Sequence, residues 1–503
     1  MGTLTIFTDT GKQNIAFDGT PTVQQILERA GISMAHPCGG AGICGKCTIT
    51  VIGQVSLPDE AERSAGCRLS CRTKLYGDAI VTLKEQTNSS LIAEGFDENI
   101  KPIENPDNKF GAAVDIGTTT IALSMYDLST GKCLASKTAL NPQSVISADV
   151  MGRIASAVNG KLTNMQHMLI SGIRALAEDT GYFDRIDTWC LTGNTTMLYL
   201  LCGKNPQSFA TAPYIADHHF GEKITFLGKP AYLPNCMHAF VGADITCALL
   251  ASGMCNSTGT ALLCDIGTNG EIALWKNGTL YVTSTAAGPV FEGAGISCGC
   301  QSVAGVIEKV ALQNGSFSVT TIGNTTPIGL CGSGVIDTVA CLLENGTVDE
   351  TGAMEPEEIF ICEGISINRQ DIRNVQLAKA AIAAGIRTLL EVTKTSEEEI
   401  SVFYLAGGFG KHLNMDSAIR IGLFPASLRN KVRILGNAAL KGAASMLTDE
   451  SLKETARTIA GKPRCCEGWS EGQGSGLRCC CRPDFGAGRQ NSQPEDLYRD
   501  QNR

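Results

Sequence analysis

One pattern occurs twice in this chain of 503 residues and restricts its fold more than any other. "FGAAVDIGTTTIALSMYDLSTGKCLAS" (110–136) and "GTALLCDIGTNGEIALWKNGTLYVTS" (259–284) each run an apolar strand into Asp-Ile-Gly-Thr. Each then turns tightly, continues as a second strand and passes through a Gly-containing turn to a third. The two copies stand 150 positions apart, Asp115 to Asp265. They predict a core built by using one strand–turn–strand unit twice.

The chemistry of that unit is legible. An aspartate ending a buried strand can bind Mg2+ directly or through water, and a Gly-Thr-Thr or Gly-Thr-Asn turn offers N–H and hydroxyl donors to phosphate oxygens. Two such turns facing each other across a cleft can clamp a triphosphate and its metal. A single Asp-x-Gly-Thr also makes an ordinary hairpin turn, but two copies in matching contexts argue against that reading. A third piece, "VFYLAGGFGKHLN" (402–414), runs an apolar strand into Gly407, Gly408 and Gly410, as backbone does where it passes close to something flat. "LGNAALKGAASML" (435–447) predicts a small-residue helix, begun at Gly436 and able to pack beside that loop.

The N-terminal region has a different texture. "LTIF" and "NIAF" read as strands around the turn "TDTGKQ", and "TPTVQQILERAG" as a helix with a Thr22/Gln25 capping box and Gly31 closing its end. "TITVIG" and "AIVTL" are further strands. Between helix and strand lies "HPCGGAGICGKC" (36–47), one residue short of the phosphate loop G-x-x-x-x-G-K-[ST]. Position 47 is Cys, without a hydroxyl for Mg2+, and the segment opens into a strand where a phosphate loop opens into a helix. Read as C-x5-C-x2-C, it is close to a plant-type iron–sulfur loop, and Gly39, Gly40, Gly42 and Gly45 let backbone wrap a compact anion. The fourth thiolate must come from further on, where Cys67 and Cys71 compete. A zinc ribbon formed by Cys44, Cys47, Cys67 and Cys71 has plausible spacing, but leaves Cys38 idle and the glycines unexplained.

The chain carries 22 cysteines: five between Cys38 and Cys71, five in the last forty residues, and twelve scattered among apolar residues. Those twelve read as small buried hydrophobes, and such free use suits an anaerobic cell. A net charge of −9 without a basic stripe argues against nucleic-acid binding. No apolar run reaches the roughly 18 residues of a membrane span, and the N-terminus lacks a signal-peptide layout, so a cytoplasmic protein without membrane contact is expected. His218 and His219 are adjacent, so on a strand they point to opposite faces and share no metal. Cys298 and Cys300 read as part of a close-packed turn.

With these residues in place, the chain resembles the reductive activators of corrinoid proteins. The resemblance runs from residue 1 to about 462 through "CGGAGICGKC", "RLSC", "DIGTTT", "FVGADI", "DIGTNGEIAL", "STAAGPVFEGAGISCG", "GLCGSGVIDTVA", "DIRNVQLAKAA", "LAGGFG" and "GNAALKGA". It implies an α/β protein: a β-grasp ferredoxin-like domain, then a duplicated actin-like (ribonuclease H-like) two-lobed ATPase core of the acetate and sugar kinase/Hsp70/actin superfamily. The expected divisions are a ferredoxin-like domain over 1–87, a linker over 88–108, a first lobe over 109–260 and a second over 261–462. Residues 463–503 form a Cys-, Gly- and Arg-rich tail unlike the family's usual ending, expected to be disordered or aberrant, as from a shifted reading frame.

By the same resemblance, Cys38, Cys44, Cys47 and Cys71 would hold a 2Fe–2S cluster. Asp115 and Asp265 would hold Mg2+, and Thr118, Thr119, Gly267, Thr268 and Asn269 would meet the phosphates of ATP. Gly407 and Gly408 would lie against the adenosine, and Glu271 would orient the attacking water. The implied activity is ATP-dependent reduction of a corrinoid protein from Co(II) to Co(I) in a methyltransferase system. An upstream reductase or ferredoxin would supply the electron, and a homodimer is left open. Two other functions fit the same motifs: an iron–sulfur electron carrier with a regulatory nucleotide-binding module, and a small-molecule kinase with an accessory cluster.

Overall fold

The computed structural model describes residues 2–8, 11–30, 32, 34, 47–65, 67–83, 98–104, 107, 109–313, 315–408, 413–461 and 463–465. Strands β1 (Gly2–Thr8) and β2 (Gly11–Phe17) form a hairpin, followed by α1 (Val23–Arg29), β3 (Thr48–Val55), α2 (Glu60–Ala65), β4 (Arg68–Leu69) and β5 (Leu75–Thr82). They make a mixed sheet in the order β2-β1-β5-β3-β4, with β1 parallel to β5. β5 alternates strictly between buried and exposed residues, the mark of a sheet with one covered face. The predicted cap of α1 is reciprocal: the Gln25 N–H donates to the Thr22 hydroxyl (3.3 Å) and the Thr22 N–H to Gln25 Oε1 (3.0 Å). Helix α2 escapes the strand-dominated pattern, although "DEAE" holds its signal. The Glu62 N–H donates to Asp59 Oδ1 and the Asp59 N–H to Glu62 Oε2, a second capping box. Gly31 lies outside the described residues.

The first copy of the repeat supplies β6 (Phe110–Ile116), β7 (Thr120–Asp127) and β8 (Lys132–Leu140). After it come α3 (Val150–Ser156), α4 (Leu162–Glu178), β9 (Thr188–Gly193), α5 (Thr195–Leu201), β10 (Glu222–Phe226), β11 (Lys229–Leu233) and α6 (Ala243–Ser252). The sheet order is β10-β11-β9-β6-β7-β8, with β6 parallel to β9 and antiparallel to β7. Helix α4 buries Met165, Leu169, Ile173 and Leu176, a single stripe at helical spacing, in the core that also holds Leu191 and Trp189.

The second copy gives β12 (Thr260–Ile266), β13 (Gly270–Lys276) and β14 (Thr279–Thr285). There follow β15 (Val306–Gln313), β16 (Ser316–Thr321), β17 (Gly329–Leu330), α7 (Gly332–Glu344), β18 (Glu358–Cys362), β19 (Ile365–Asn368), α8 (Arg369–Val392), β20 (Ile400–Ala406), α9 (Met415–Arg420) and β21 (Val432–Gly436). Here the strands run β21-β20-β12-β13-β14, again with a parallel partner on one side of the repeat's first strand and antiparallel ones on the other. Long α8 lies against β13 and β14. A Cβ at Gly385 would stand 2.5 Å from Ile272 Cδ1 and 2.7 Å from Thr285 Cγ2, so any larger residue there would displace those side chains.

Two compact units result: Met1–Asn256 with Asn437–Cys465, and one whose described part is Ser257–Gly436. The second lobe expected over 261–462 extends beyond the described part of this second compact unit, which ends at Gly436. Helices α10 (Ala438–Ser445) and α11 (Glu450–Ala460) belong to the first unit, where a Cβ on Gly442 would meet the Cys247 carbonyl of α6 at 2.1 Å. The small residues that suggested packing beside the 402–414 loop serve this helix–helix contact. The linker expected over 88–108 also has a docked part. The Ile100 N–H donates to Gly131 O and the Ile103 N–H to Leu128 O, and both side chains join a core cluster with Leu128. Among the described residues, no helix is long and apolar enough to cross a membrane.

Candidate functional site

Asp115 ends β6 at the lip of the first turn, half-buried, with Oδ2 accepting a hydrogen bond from Asn437 Nδ2 (2.8 Å). Burial pushes its carboxyl up to about 6 despite the opposing pull of Asn437. Asp244, in the first turn of α6, is pushed up to about 7 by burial and then by the Asp115 charge. Helix α6 comes this close because residue 242 is glycine: a Cβ there would sit 2.4 Å from Asn194 Cα. Two carboxylates that repel in a water-poor site are a cost that a divalent cation relieves. Asp244 was missed in sequence because an acid in a helix's first turn is ordinary.

The turn itself is held from behind. Its Gly117 N–H donates to Thr120 O (3.0 Å), Asn141 Nδ2 donates to Gly117 O (2.9 Å), and the Asn141 N–H donates to Thr119 O (2.8 Å). Arg153 Nη2 donates to Thr118 O (2.6 Å) and Asn194 Nδ2 to the Thr118 hydroxyl (3.0 Å). Thr118 is buried and Thr119 half-buried. The backbone of the turn is thus positioned before any ligand arrives.

The second turn is one residue shorter: Gly267 N–H donates to Asn269 O (3.0 Å). In the strand register Asp265 lies opposite Glu271, whereas Asp115 lies opposite Ala122. Directly paired residues share a sheet face with Cβ atoms roughly 5 Å apart, so two carboxylates flank this turn. Glu271 is buried and takes a 3.4 Å contact from the Ser284 hydroxyl. A third acid, Glu292, accepts a 2.6 Å hydrogen bond from the Thr268 hydroxyl, and its Oε1 lies 3.7 Å from where a Cβ of Gly267 would stand. Its segment, "GPVFEGAG", carries the resemblance without singling out the glutamate. Among the described residues no set of three or more His, Cys, Asp or Glu forms a metal cage. One or two carboxylates per turn suit an ion that arrives with phosphate, as Mg2+ does.

Gly407 has φ +94°, and a Cβ there would meet Ile266 O at 2.5 Å and Asp265 Oδ1 at 3.0 Å. Its N–H donates to Gly436 O. Close packing against the end of β12 requires this glycine; Gly408 is exposed, with open space around its Cα.

In the ferredoxin-like sheet, Cys47 and Cys71 are buried, unbridged, and 3.3 Å apart at Sγ. A disulfide would need about 2.05 Å, while two thiolates on one tetrahedral metal with bonds of about 2.3 Å stand roughly 3.8 Å apart. Cys67 is half-buried with Sγ 3.4 Å from the Thr48 hydroxyl. The turn carrying Cys71 is pinned by buried Glu62, whose Oε1 accepts from Arg68 Nε, the Leu69 N–H and the Thr73 hydroxyl. Cys38 and Cys44 lie outside the described residues.

Elsewhere, His218 pairs with Glu222 at 2.8 Å and His219 is exposed. Cys298 and Cys300 flank Leu330 through backbone hydrogen bonds in a segment where a Cβ on Gly293 would strike Cys300 O, a close-packed turn. Of the twelve scattered cysteines, six are buried and six half-buried.

Three family models match the chain in order: a 2Fe-2S iron-sulfur cluster binding domain at 7–76, the RACo middle region at 110–257, and the C-terminal domain of RACo, the ASKHA domain, at 259–468. A corrinoid activation enzyme, RamQ, of Eubacterium limosum is 32% identical over 393 residues, covering 69% of this chain and 64% of its own length. A Co(II) methylated amine-specific corrinoid protein reductase of Methanosarcina barkeri is 23% identical over 394 residues, covering 70% and 72%. The chain thus spans about two thirds of these curated relatives. A solved structure, a reductive activator for corrinoid, iron-sulfur protein, superposes with a TM-score of 0.67 at 26% identity, covering 93% of this chain and 96% of that one.

Proposed function

The chain belongs to the family of reductive activators of corrinoid proteins, and from that membership we propose that it drives a corrinoid protein of a methyltransferase system from Co(II) to Co(I) at the expense of ATP. The observation that carries the reading is the conjunction, in one chain, of a buried, closely set cysteine pair in a ferredoxin-like sheet with two carboxylate-ended turns in duplicated sheets. When bound, a 2Fe–2S cluster supplies one-electron transfer, and MgATP supplies the free energy for an uphill reduction.

The residues divide the work. Cys47 and Cys71, with Cys38 and Cys44, hold the cluster; the 3.3 Å contact of Cys47 favours Cys71 over Cys67. Asp115, joined by Asp244, and Asp265 receive Mg2+. Thr118 and Thr119 bind phosphate oxygens at the first turn; Gly267, Thr268 and Asn269 do so at the second. Gly407 and Gly408 border the adenosine. Glu292, bonded to the Thr268 hydroxyl, is placed to take the proton of an attacking water, a role for which Glu271 is the other candidate. Nucleotide can shift the reduction only by binding differently to the complex before and after electron transfer. An upstream reductase or ferredoxin replenishes the electron.

The test mixes reduced protein, MgATP and a Co(II) corrinoid protein without oxygen. The Co(I) absorption rises only with ATP, and C71S abolishes the cluster spectrum while C67S retains it. Co(I) formation that ignores ATP overturns the reading. Phosphate found on an acceptor makes the protein a kinase, and no turnover with any partner makes the core a regulatory module.

A further inference from the structure

Arg153, on α3, has no solvent exposure. Its Nε donates to Ser147 O (3.0 Å), Nη1 to Gln143 Oε1 (3.3 Å) and Met197 Sδ (3.2 Å), and Nη2 to Thr118 O (2.6 Å). Every one of these partners is neutral. The nearest acid that acts on it, Asp149, is exposed and spends its carboxylate on the Gly152 N–H and the Ser147 hydroxyl. Burial lowers the guanidinium to about 10, so it remains charged at neutral pH. Among the described residues only the exposed Asp149 offsets this buried charge. So weak a compensation is unfavourable, and the charge sits directly behind the first turn.

Holding the turn does not require a charge. Asn141 and Asn194 already bond Gly117, Thr118 and Thr119 through neutral amides. What a cation adds is electrostatic. It polarises the Thr118–Thr119 peptide through the carbonyl, and in a trans peptide the N–H of Thr119 points the opposite way. That N–H becomes a stronger donor on the side of the turn away from Arg153.

We propose that Arg153 is a positioning residue that serves as the built-in counter-charge for a phosphate group received at the turn 117–119, acting through the Thr118 peptide without touching the nucleotide. The inference rests on the assignment of phosphate to this turn, and it gives a reason for a buried cation that only an exposed acid offsets.

Two kinds of variant test it, with the cluster-loaded full chain and MgATP as the titrant. Arg153→Lys and Arg153→Gln both lose the guanidinium fork, but only the first keeps the charge. Gln is expected to bind MgATP about ten- to a hundredfold more weakly than Lys, with similar melting temperatures without nucleotide. Gln143→Glu instead leaves Arg153 in place and hands it a carboxylate at Nη1. Its carboxylate cannot repeat the bond that Gln143 Nε2 donates to Met165 O (2.9 Å), so its melting temperature is expected to fall slightly, while MgATP affinity drops about tenfold. A structural Arg153 would give the opposite pattern: Lys and Gln binding alike, and Gln143→Glu binding as wild type. Either result overturns the counter-charge while wild-type binding still supports the nucleotide reading. A wild type that does not bind MgATP overturns both.

Discussion

The two Asp-Ile-Gly-Thr turns share a frame and differ in chemistry. In both, the repeat's first strand pairs with a parallel neighbour that ends at or just before a glycine, Gly193 in β9 and Gly407 after β20. A Cβ on Gly193 would meet Ile116 O at 2.7 Å, and one on Gly407 would meet Ile266 O at 2.5 Å. One residue of turn length then changes what lies opposite the aspartate, Ala122 in the first copy and Glu271 in the second. The first turn is backed by a buried cation and two amides, the second by acids, Glu271 and Glu292. The repeated unit thus keeps the geometry of the turn in both copies, while the flanking side chains differ, a cation and amides in one and acids in the other.

The most disruptive way to break that contrast is Ala122→Glu, which gives the first copy the acid of the second. Ala122 is buried beside Asp115, so an unpaired carboxylate there should cost about 3–5 kcal/mol. Denaturant unfolding would show it, and a wild-type midpoint would mean the two sites are interchangeable. Next, Gly193→Ala and Gly407→Ala probe what the copies share. Each drives a methyl group into a backbone carbonyl and should cost about 2–3 kcal/mol, with Gly407 also strained by its positive φ. If only one of the pair destabilises, the frames are not equivalent.

A smaller effect separates the turns by function. Thr268→Val removes the hydroxyl that donates to Glu292 and should slow phosphate release about tenfold, about 1.4 kcal/mol in barrier, with little change in stability. An unchanged rate would leave Glu292 without a role in turnover. The smallest is a pH effect confined to the first copy. Asp115 titrates at about 6 when folded, above its ordinary value near 3.8, so its neutral form stabilises the fold fully below about 4, and that contribution is lost as pH rises through about 6. Without Mg2+, the wild type should gain melting temperature from pH 7.5 to 5 more than Asp115→Asn does; equal gains would remove Asp115 as the source.

Much of this was legible in the residues themselves. The capping box at Thr22, the strand that became β5 and the paired turns are local, with period and hydrogen-bonding groups lying within a few residues, so the sequence alone determined them. It also determined that cysteines and glycines crowd one loop and that acids end two buried strands. What surrounds those acids was decided only by the tertiary structure. Asn437 reaches Asp115 across 322 positions, Arg153 lies under Thr118 from 35 positions away, and Glu292 meets Thr268 from the far side of β14. The same holds for Cys71: it and Cys67 differ by four residues, and only the fold of the Glu62-pinned turn sets one against Cys47 and the other against Thr48. Local pattern encodes where a chain turns; which distant side chains meet that turn depends on packing that no short stretch of sequence contains.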